Sequence, residues 1–367
     1  MGGDATHLPA GCFNVNGIDR RRIGTTSLYV PELGFGAASL GNLYHPVDDA
    51  TARAALDAAL HAGMGYFDTA PHYGRGLSER RVGDALRSRA DVVVSTKVGR
   101  LLEPDPSITD DRMRDGFRSP MPFRPIYDYG HDAILRSVDH RLQRLGLARI
   151  DLLYVHDIGH RNHGGANQIH WEQLTRGGGL RALERLRREG TIAGFGLGVN
   201  EIEICLDVMA EAHLDVILLA GRYTLLEQAA LDALLPACAS TKTSIVIGGP
   251  YNSGILATGT RSQARMTYDY APASAGVVAK VAAIEAVADR HGVPLPAAAL
   301  QFVLAHPLVA SVIPGCDNAM RVGQTVDLHR HAIPADFWTE LLERGLIRSD
   351  SPLPARHTGS KTIGAQG

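Results

Sequence analysis

Residues 66–98 read YFDTAPHYGRGLSERRVGDALRSRADVVVSTKV, two short apolar runs, YFDTA (66–70) and VVVSTKV (92–98), around one amphipathic segment, SERRVGDALRS (78–88). Apolar runs of this length that are rich in β-branched residues predict buried strands, and apolar residues at helical spacing predict a helix between them. The same alternation recurs along the chain. Further strands are predicted at LGFGAAS (33–39), IDLLYVH (150–156), IAGFGLGV (192–199), DVILLAG (215–221), TSIVIGGP (243–250) and LVASVIPG (308–315). Further helices are predicted at DATARAALDAALHAGM (49–64), HDAILRSVDHRLQRLG (131–146), LRALERLRREG (180–190) and AGVVAKVAAIEAVADRHG (275–292), several closing on glycine. Near-continuous apolar strands joined by helices imply a parallel sheet covered by helices.

Eight such units predict an α/β fold of the (β/α)8 TIM-barrel type, a single domain with long strand-to-helix loops, for which about 250 residues is typical. The chain has 367. The excess is assigned to a leader over 1–30 with a short hairpin around RRIGTTSLYV, to the loops of a barrel over 31–346, and to a tail over 347–367. The competing architecture is a doubly wound open sheet, which would carry a glycine-rich phosphate fingerprint after its first strand. LGFGAASLG is a weak version of that fingerprint, with no acidic residue suitably placed beyond it.

Composition narrows the function. With 45% hydrophobic and 21% charged residues and a formal net charge of -2, the chain is long enough for a large core and lacks the basic excess of a nucleic-acid surface. No apolar stretch approaches the ~20 residues of a membrane span, and the first residues lack the apolar centre of a secretory signal. The four cysteines, Cys12, Cys205, Cys238 and Cys316, are scattered without a CxxC pair, which fits a cytoplasmic protein.

In a barrel, active sites form at the C-terminal ends of the strands. Asp68 and Tyr73 follow strand 2, Lys97 ends strand 3 and His156 ends strand 4, so three neighbouring strand ends deliver an acid, a phenol, an ammonium and an imidazole to one rim. Each has an ordinary explanation alone: a strand-end aspartate caps helices and turns, and a lysine is usually solvated. Lys97 and His156, however, follow apolar strands, where an unpaired polar group would be costly.

With those four residues in place, the chain resembles the aldo-keto reductase superfamily over nearly its whole length. The resemblance implies that Asp68, Tyr73, Lys97 and His156 form the catalytic tetrad. The segments GGGLRALERLRREGTIAGFGLGVN, LAGRYTLL and GGPYNSGIL are similar to the branch of NAD-linked sugar and pyridoxal dehydrogenases. That branch holds the L-fucose and D-threo-aldose 1-dehydrogenases, L-galactose dehydrogenase and pyridoxal 4-dehydrogenase.

The chemistry follows from the side chains. Oxidising an alcohol or hemiacetal with a nicotinamide requires a hydride acceptor and a base, and a tyrosine with an ordinary pKa near ~10 is a poor base at neutrality. An ammonium ~4 Å away at an effective dielectric of ~20 is worth ~4 kcal/mol to the phenolate. That sets a ceiling of about three pKa units before desolvation. Asp68 is expected to hold Lys97, and His156 to donate to the reacting oxygen.

The cofactor expected is NAD, with NADP possible. Asn200 resembles the residue that binds the nicotinamide carboxamide, with a helix cap as its alternative role. The position of the nicotinamide-stacking tyrosine of many relatives falls on Gly248, with Tyr251 nearby. Gly315 stands at a basic position of NADP-preferring relatives, Asp317 adds negative charge, and Arg321 is the cation close by. Tyr44 and Trp171 are the candidate walls of a sugar site, and His160, His163 and His170 lack the spacing of a metal site. The expected function is an NAD-dependent aldose 1-dehydrogenase acting on a sugar such as L-fucose, D-arabinose or L-galactose. Pyridoxal 4-dehydrogenase is the rival of the same class, and a non-catalytic nucleotide-binding barrel the rival of another.

Overall fold

The structure is a computed structural model and describes residues 16–262 and 266–354. Eight strands form one parallel sheet in sequence order: β1 (Phe35–Gly36), β2 (Tyr66–Asp68), β3 (Val93–Val98), β4 (Leu152–His156), β5 (Gly194–Val199), β6 (Val216–Ala220), β7 (Ser244–Gly248) and β8 (Val309–Ile313). The sheet closes on itself. Gly34 N donates to Val312 O at 2.9 Å, and Val312 N donates to Glu32 O at 2.8 Å. Each of the eight lies within its expected segment, and the fold is a (β/α)8 barrel rather than an open sheet.

Two apolar cores follow from the alternation of side chains along each strand. One fills the barrel and includes Tyr66, Val93, Tyr154, Val216, Leu218 and Val246. The larger lies between the strands and the helices. The antiparallel hairpin of Arg20–Arg22 with Tyr29–Pro31 contributes Ile23 and Val30 to the inner core and so plugs the N-terminal end of the barrel. It is the hairpin expected in the leader. Residues 1–15 of that leader, with Cys12, and residues 355–367 of the tail lie outside the described residues.

The helices that follow the strands are α1 (Asp49–Ala62), α2 (Leu77–Leu86), α3 (His131–Leu145), α4 (Gly179–Arg188), α5 (Glu203–Glu211), α6 (Leu234–Thr241), α7 (Leu295–Leu304) and α8 (Ala319–Arg330). Asp48 caps α1 by accepting from Thr51 N, and Gly63 ends it at φ 90°. The segment 275–292 does form a helix, Ala275–His291, but it is an insertion after β7, and the return to β8 is made by α7.

Both long loops carry structure. The first contains a hairpin of Arg100–Pro104 with Phe123–Tyr127, and the second the short helices His160–His163 and Asn167–Leu174. A third small hairpin, Thr267–Tyr268 with Ala271–Pro272, follows β7. Among the described residues no helix is long and apolar enough to cross a membrane.

Candidate active site

The C-terminal rim brings Asp68, Tyr73, Lys97 and His156 together. Asp68 ends β2 and His156 ends β4, and Lys97 on β3 lies between them. The Lys97 ammonium donates to Asp68 Oδ2 at 2.6 Å and to Thr69 O at 3.0 Å, and Ser95 Oγ donates to Asp68 Oδ1 at 2.7 Å. Below them Ser95 Oγ also meets Tyr66 Oη, which pairs with Tyr154 Oη at 2.8 Å. Tyr73 follows in the turn after β2, its N–H on Ala70 O, and its ring centre lies 4.7 Å from Lys97 Nζ. The His156 ring stands edge-on to Tyr73, with centroids 6.1 Å apart.

Burial dominates the electrostatics here. It opposes the charge on Lys97, but the neighbouring oxygens of Asp68 and Tyr73 outweigh it and raise the lysine pKa, so the ammonium persists. Burial also pushes the Tyr73 phenol above its ordinary value. Lys97 pulls the other way without winning, because Asp68 adds its own negative charge. The ceiling of three pKa units expected from an isolated lysine is therefore not reached in this site. His156 is held well below the usual imidazole range by burial and then by the charge of Arg100, and its Nδ1 is buried without a partner. His72 is pushed down to about 3 by burial and Arg100. Both rings are neutral near pH 7, each with one N–H to give.

These groups form the floor of a cavity of about 880 Å³ at the C-terminal end of the barrel. Its walls hold side chains that the sequence did not single out. Arg100 ion-pairs with Asp157 and stacks 5.1 Å from the centre of the Tyr127 ring. Arg161 bonds Asp269 Oδ1 at 2.7 Å, and Arg222 reaches the same oxygen at 2.9 Å. Phe117 and Tyr270 add aromatic surface. Gly99 (φ 97°) makes the turn between Lys97 and Arg100. A Cβ there would come within 2.2 Å of Tyr129 Cε1, and Tyr129 Oη donates to His156 O at 2.7 Å.

Of the two candidate sugar walls, Tyr44 lines the cavity. Trp171 does not. It sits on the short helix Asn167–Leu174, packs partly against the outer core, and faces a separate surface groove with Gln168 and Arg176. A helix formed where an irregular loop was expected, and its apolar side turned toward the body of the protein. His163 and His170 stack on each other 4.2 Å apart, and His163 Nε2 pairs with Tyr129 Oη. Among the described residues no group of three or more His, Cys, Asp or Glu side chains converges as a metal site.

Asn200 lines the cavity, and its Oδ1 is buried without a partner. It does not cap α5, which has no side-chain cap. Two orphaned polar atoms, Asn200 Oδ1 and His156 Nδ1, thus belong to side chains that line the same cavity as Lys97 and Tyr73, an arrangement that suits a nicotinamide with its carboxamide. Gly248, Tyr251, Gly315, Asp317 and Arg321 lie at or beyond the ends of β7 and β8, outside the lining of the cavity. At Gly248 a Cβ would come 3.0 Å from Leu218 Cδ2, and Tyr251 packs on the outer core. Asp317 is engaged with His45 Nε2 at 2.9 Å, with Arg321 Nε 3.8 Å away.

The Aldo/keto reductase family profile matches residues 32–343. Over 337 residues the chain is 44% identical to a pyridoxal 4-dehydrogenase of Microbacterium luteolum, covering 90% of this chain and 98% of that one. It is 40% identical over 324 residues to a D-threo-aldose 1-dehydrogenase of a Pseudomonas species, covering 87% and 95%. A solved aldo-keto reductase of Bacillus halodurans in its holo form superposes with a TM-score of 0.69 at 24% identity, over 93% of this chain and 99% of that one, and shares the fold. Members of the family bind nicotinamide cofactors. With this barrel and this match along most of its length, the chain belongs to the aldo/keto reductase family and is an oxidoreductase of that type.

Proposed function

We propose that the protein is an NAD-preferring dehydrogenase that oxidises the anomeric carbon of an aldose such as L-fucose, in its cyclic hemiacetal form, to the lactone. The observation that carries this reading is the floor of the cavity. A phenol, a buried ammonium and a neutral imidazole meet there under walls rich in hydrogen-bonding groups. A nicotinamide held by this site would supply the acceptor for the hydride that leaves the anomeric carbon.

The chain's own residues handle the proton. His156, neutral, donates its N–H to the reacting oxygen and fixes its direction. Tyr73 takes the hydroxyl proton as the C–O bond becomes a carbonyl, so one hydride and one proton leave and a lactone forms. Before that transfer Lys97 stabilises the Tyr73 phenolate that accepts the proton, and Asp68 with Ser95 fixes the ammonium beneath the ring. Asn200 Oδ1, buried without a partner, would accept from the carboxamide. The remaining wall offers Arg100, Asp157, Arg161 and Asp269 to hydroxyl groups, with Tyr44, Phe117 and Tyr270 as faces for the apolar side of a sugar ring.

A second reading is favoured by the 44% identical pyridoxal 4-dehydrogenase. Pyridoxal closes on its own hydroxymethyl group to a cyclic hemiacetal, so its oxidation is the same reaction on an aromatic ring, and the His72–Phe117 edge contact offers an aromatic wall. The test is the rate of reduced-nicotinamide formation across a panel of aldoses plus pyridoxal. We expect oxidation of at least one aldose with a higher kcat/KM than pyridoxal. Turnover of pyridoxal alone would overturn the sugar reading, and no turnover of any member would return the protein to a nucleotide-binding role.

A further inference from the structure

We infer that Asp157, the residue after His156, is the specificity-determining residue of this site. It accepts a hydrogen bond from the hydroxyl on the carbon next to the reacting one, and so restricts the enzyme to aldoses with a free 2-hydroxyl. The inference rests on the aldose reading above and gives it a substrate class.

Three observations place Asp157 in this role. Its backbone adopts φ 51°, the left-handed region that aspartate tolerates better than most residues, and its N–H is tied to Gly198 O at 3.0 Å. That turn brings the carboxylate back into the cavity beside the histidine, with Oδ2 3.4 Å from His156 Nε2. Arg100 fixes the carboxylate through the same Oδ2, and this guanidinium is itself 4% exposed and stacked on Tyr127. Among the described residues Oδ1 has no hydrogen-bond donor, while 19% of the side chain remains open.

A carboxylate pinned through one oxygen and open at the other is a hydroxyl acceptor. Distance decides which hydroxyl it takes. If the reacting oxygen binds His156, the carboxylate lies about one hydrogen-bond length further along the wall, and the oxygen at that spacing in a cyclic aldose is the vicinal one. Sign then decides the class. An aldose 2-hydroxyl donates a proton to Asp157, whereas the ionised phenol of pyridoxal has none to donate and meets a like charge.

The test compares the aldose oxidised fastest in the panel with its 2-deoxy counterpart, for the wild type and for Asp157→Asn. We expect the wild type to favour the parent sugar by about ten- to a hundredfold in kcat/KM, the range of a hydrogen bond to a charged group. In Asp157→Asn we expect that ratio to fall to within about threefold of unity, with most of the change on the parent sugar. A wild-type ratio near one overturns the inference without any variant, and so does a variant that slows both sugars equally and preserves the ratio. If no aldose is oxidised, the aldose reading itself fails and the inference falls with it, a result distinct from oxidation without discrimination.

Discussion

Tyr73 has to lose a proton in a place that disfavours charge. Burial raises its phenol, Lys97 lowers it, and Asp68 partly cancels Lys97, so the balance stays above the ordinary tyrosine value. The sign of the pH dependence follows. The base form grows as pH rises, and kcat/KM for oxidation at saturating nucleotide is expected to be still climbing at about pH 9. Lys97→Met removes the cation that stabilises the phenolate and leaves Asp68 without its charged partner. Both changes raise the Tyr73 pKa, so the limb moves to higher pH and the rate at neutrality falls. In Tyr73→Phe the limb disappears and turnover drops by about a hundredfold or more, while nucleotide binding is retained. An unchanged profile in Lys97→Met would make the lysine a purely structural group. All four rim residues were legible because each is a polar residue at or just beyond the end of an apolar strand. Arg100 and Asp157 were not, since each reads as the first charged residue of a loop, and only the turn at Gly99 and the left-handed backbone at Asp157 bring them into the cavity.

Between the elements, the polar contact that ties β3 to its two flanking helices is Glu79 on α2. Its side chain is fully buried. It accepts from Thr96 Oγ1 at 2.8 Å and from Arg144 Nε at 2.6 Å, with Arg141 Nε 3.8 Å away. Burial pushes Arg141 down to about 9 against the pull of Glu79, so this guanidinium depends on its carboxylate. Glu79→Leu strands the Arg141 charge in the core. We expect it to cost about 3–5 kcal/mol, read as a lower midpoint of urea unfolding, with Glu79→Gln milder because its amide oxygen can still accept from Arg144. A shift within error for Glu79→Leu would mean that the cluster adds nothing to stability. The helices themselves differ in how legible they were. α1 shows a capping aspartate, an apolar stripe and a glycine just beyond its end, and α3 shows the stripe and the glycine. α7 was missed because LPAAALQFVL is buried on nearly every side, and a helix that is apolar all round has no stripe to read. Trp171 misled for the opposite reason: its short helix was read as an irregular loop, so the side its aromatic ring would take was invisible in the sequence.

Across the whole molecule, closure of the barrel brings the loop after β1 against the loop after β8, and this seam bears on the choice of nucleotide. His45 comes from the first loop and Asp317 from the second, and they meet at 2.9 Å. Arg321, one turn along α8, faces the same carboxylate at 3.8 Å with its side chain 56% exposed. A 2′-phosphate approaching this seam would find one exposed guanidinium already opposite a carboxylate, and the carboxylate would repel it. A ribose hydroxyl would instead find an acceptor. The expected preference is therefore NAD over NADP. Asp317→Arg reverses the charge at the seam, freeing Arg321 and adding a second cation. A well-formed charge-assisted bond to the phosphate is worth about 1.5–3 kcal/mol. That is about a ten- to hundredfold gain for NADP, read as the ratio of kcat/KM for the two nucleotides before and after the substitution. A wild type that already prefers NADP strongly would defeat the charge argument at its root. A ratio that does not move in Asp317→Arg would mean that the adenosine ribose does not reach the β1–β8 seam, and its binding groups would then be sought along the ends of β6 and β7.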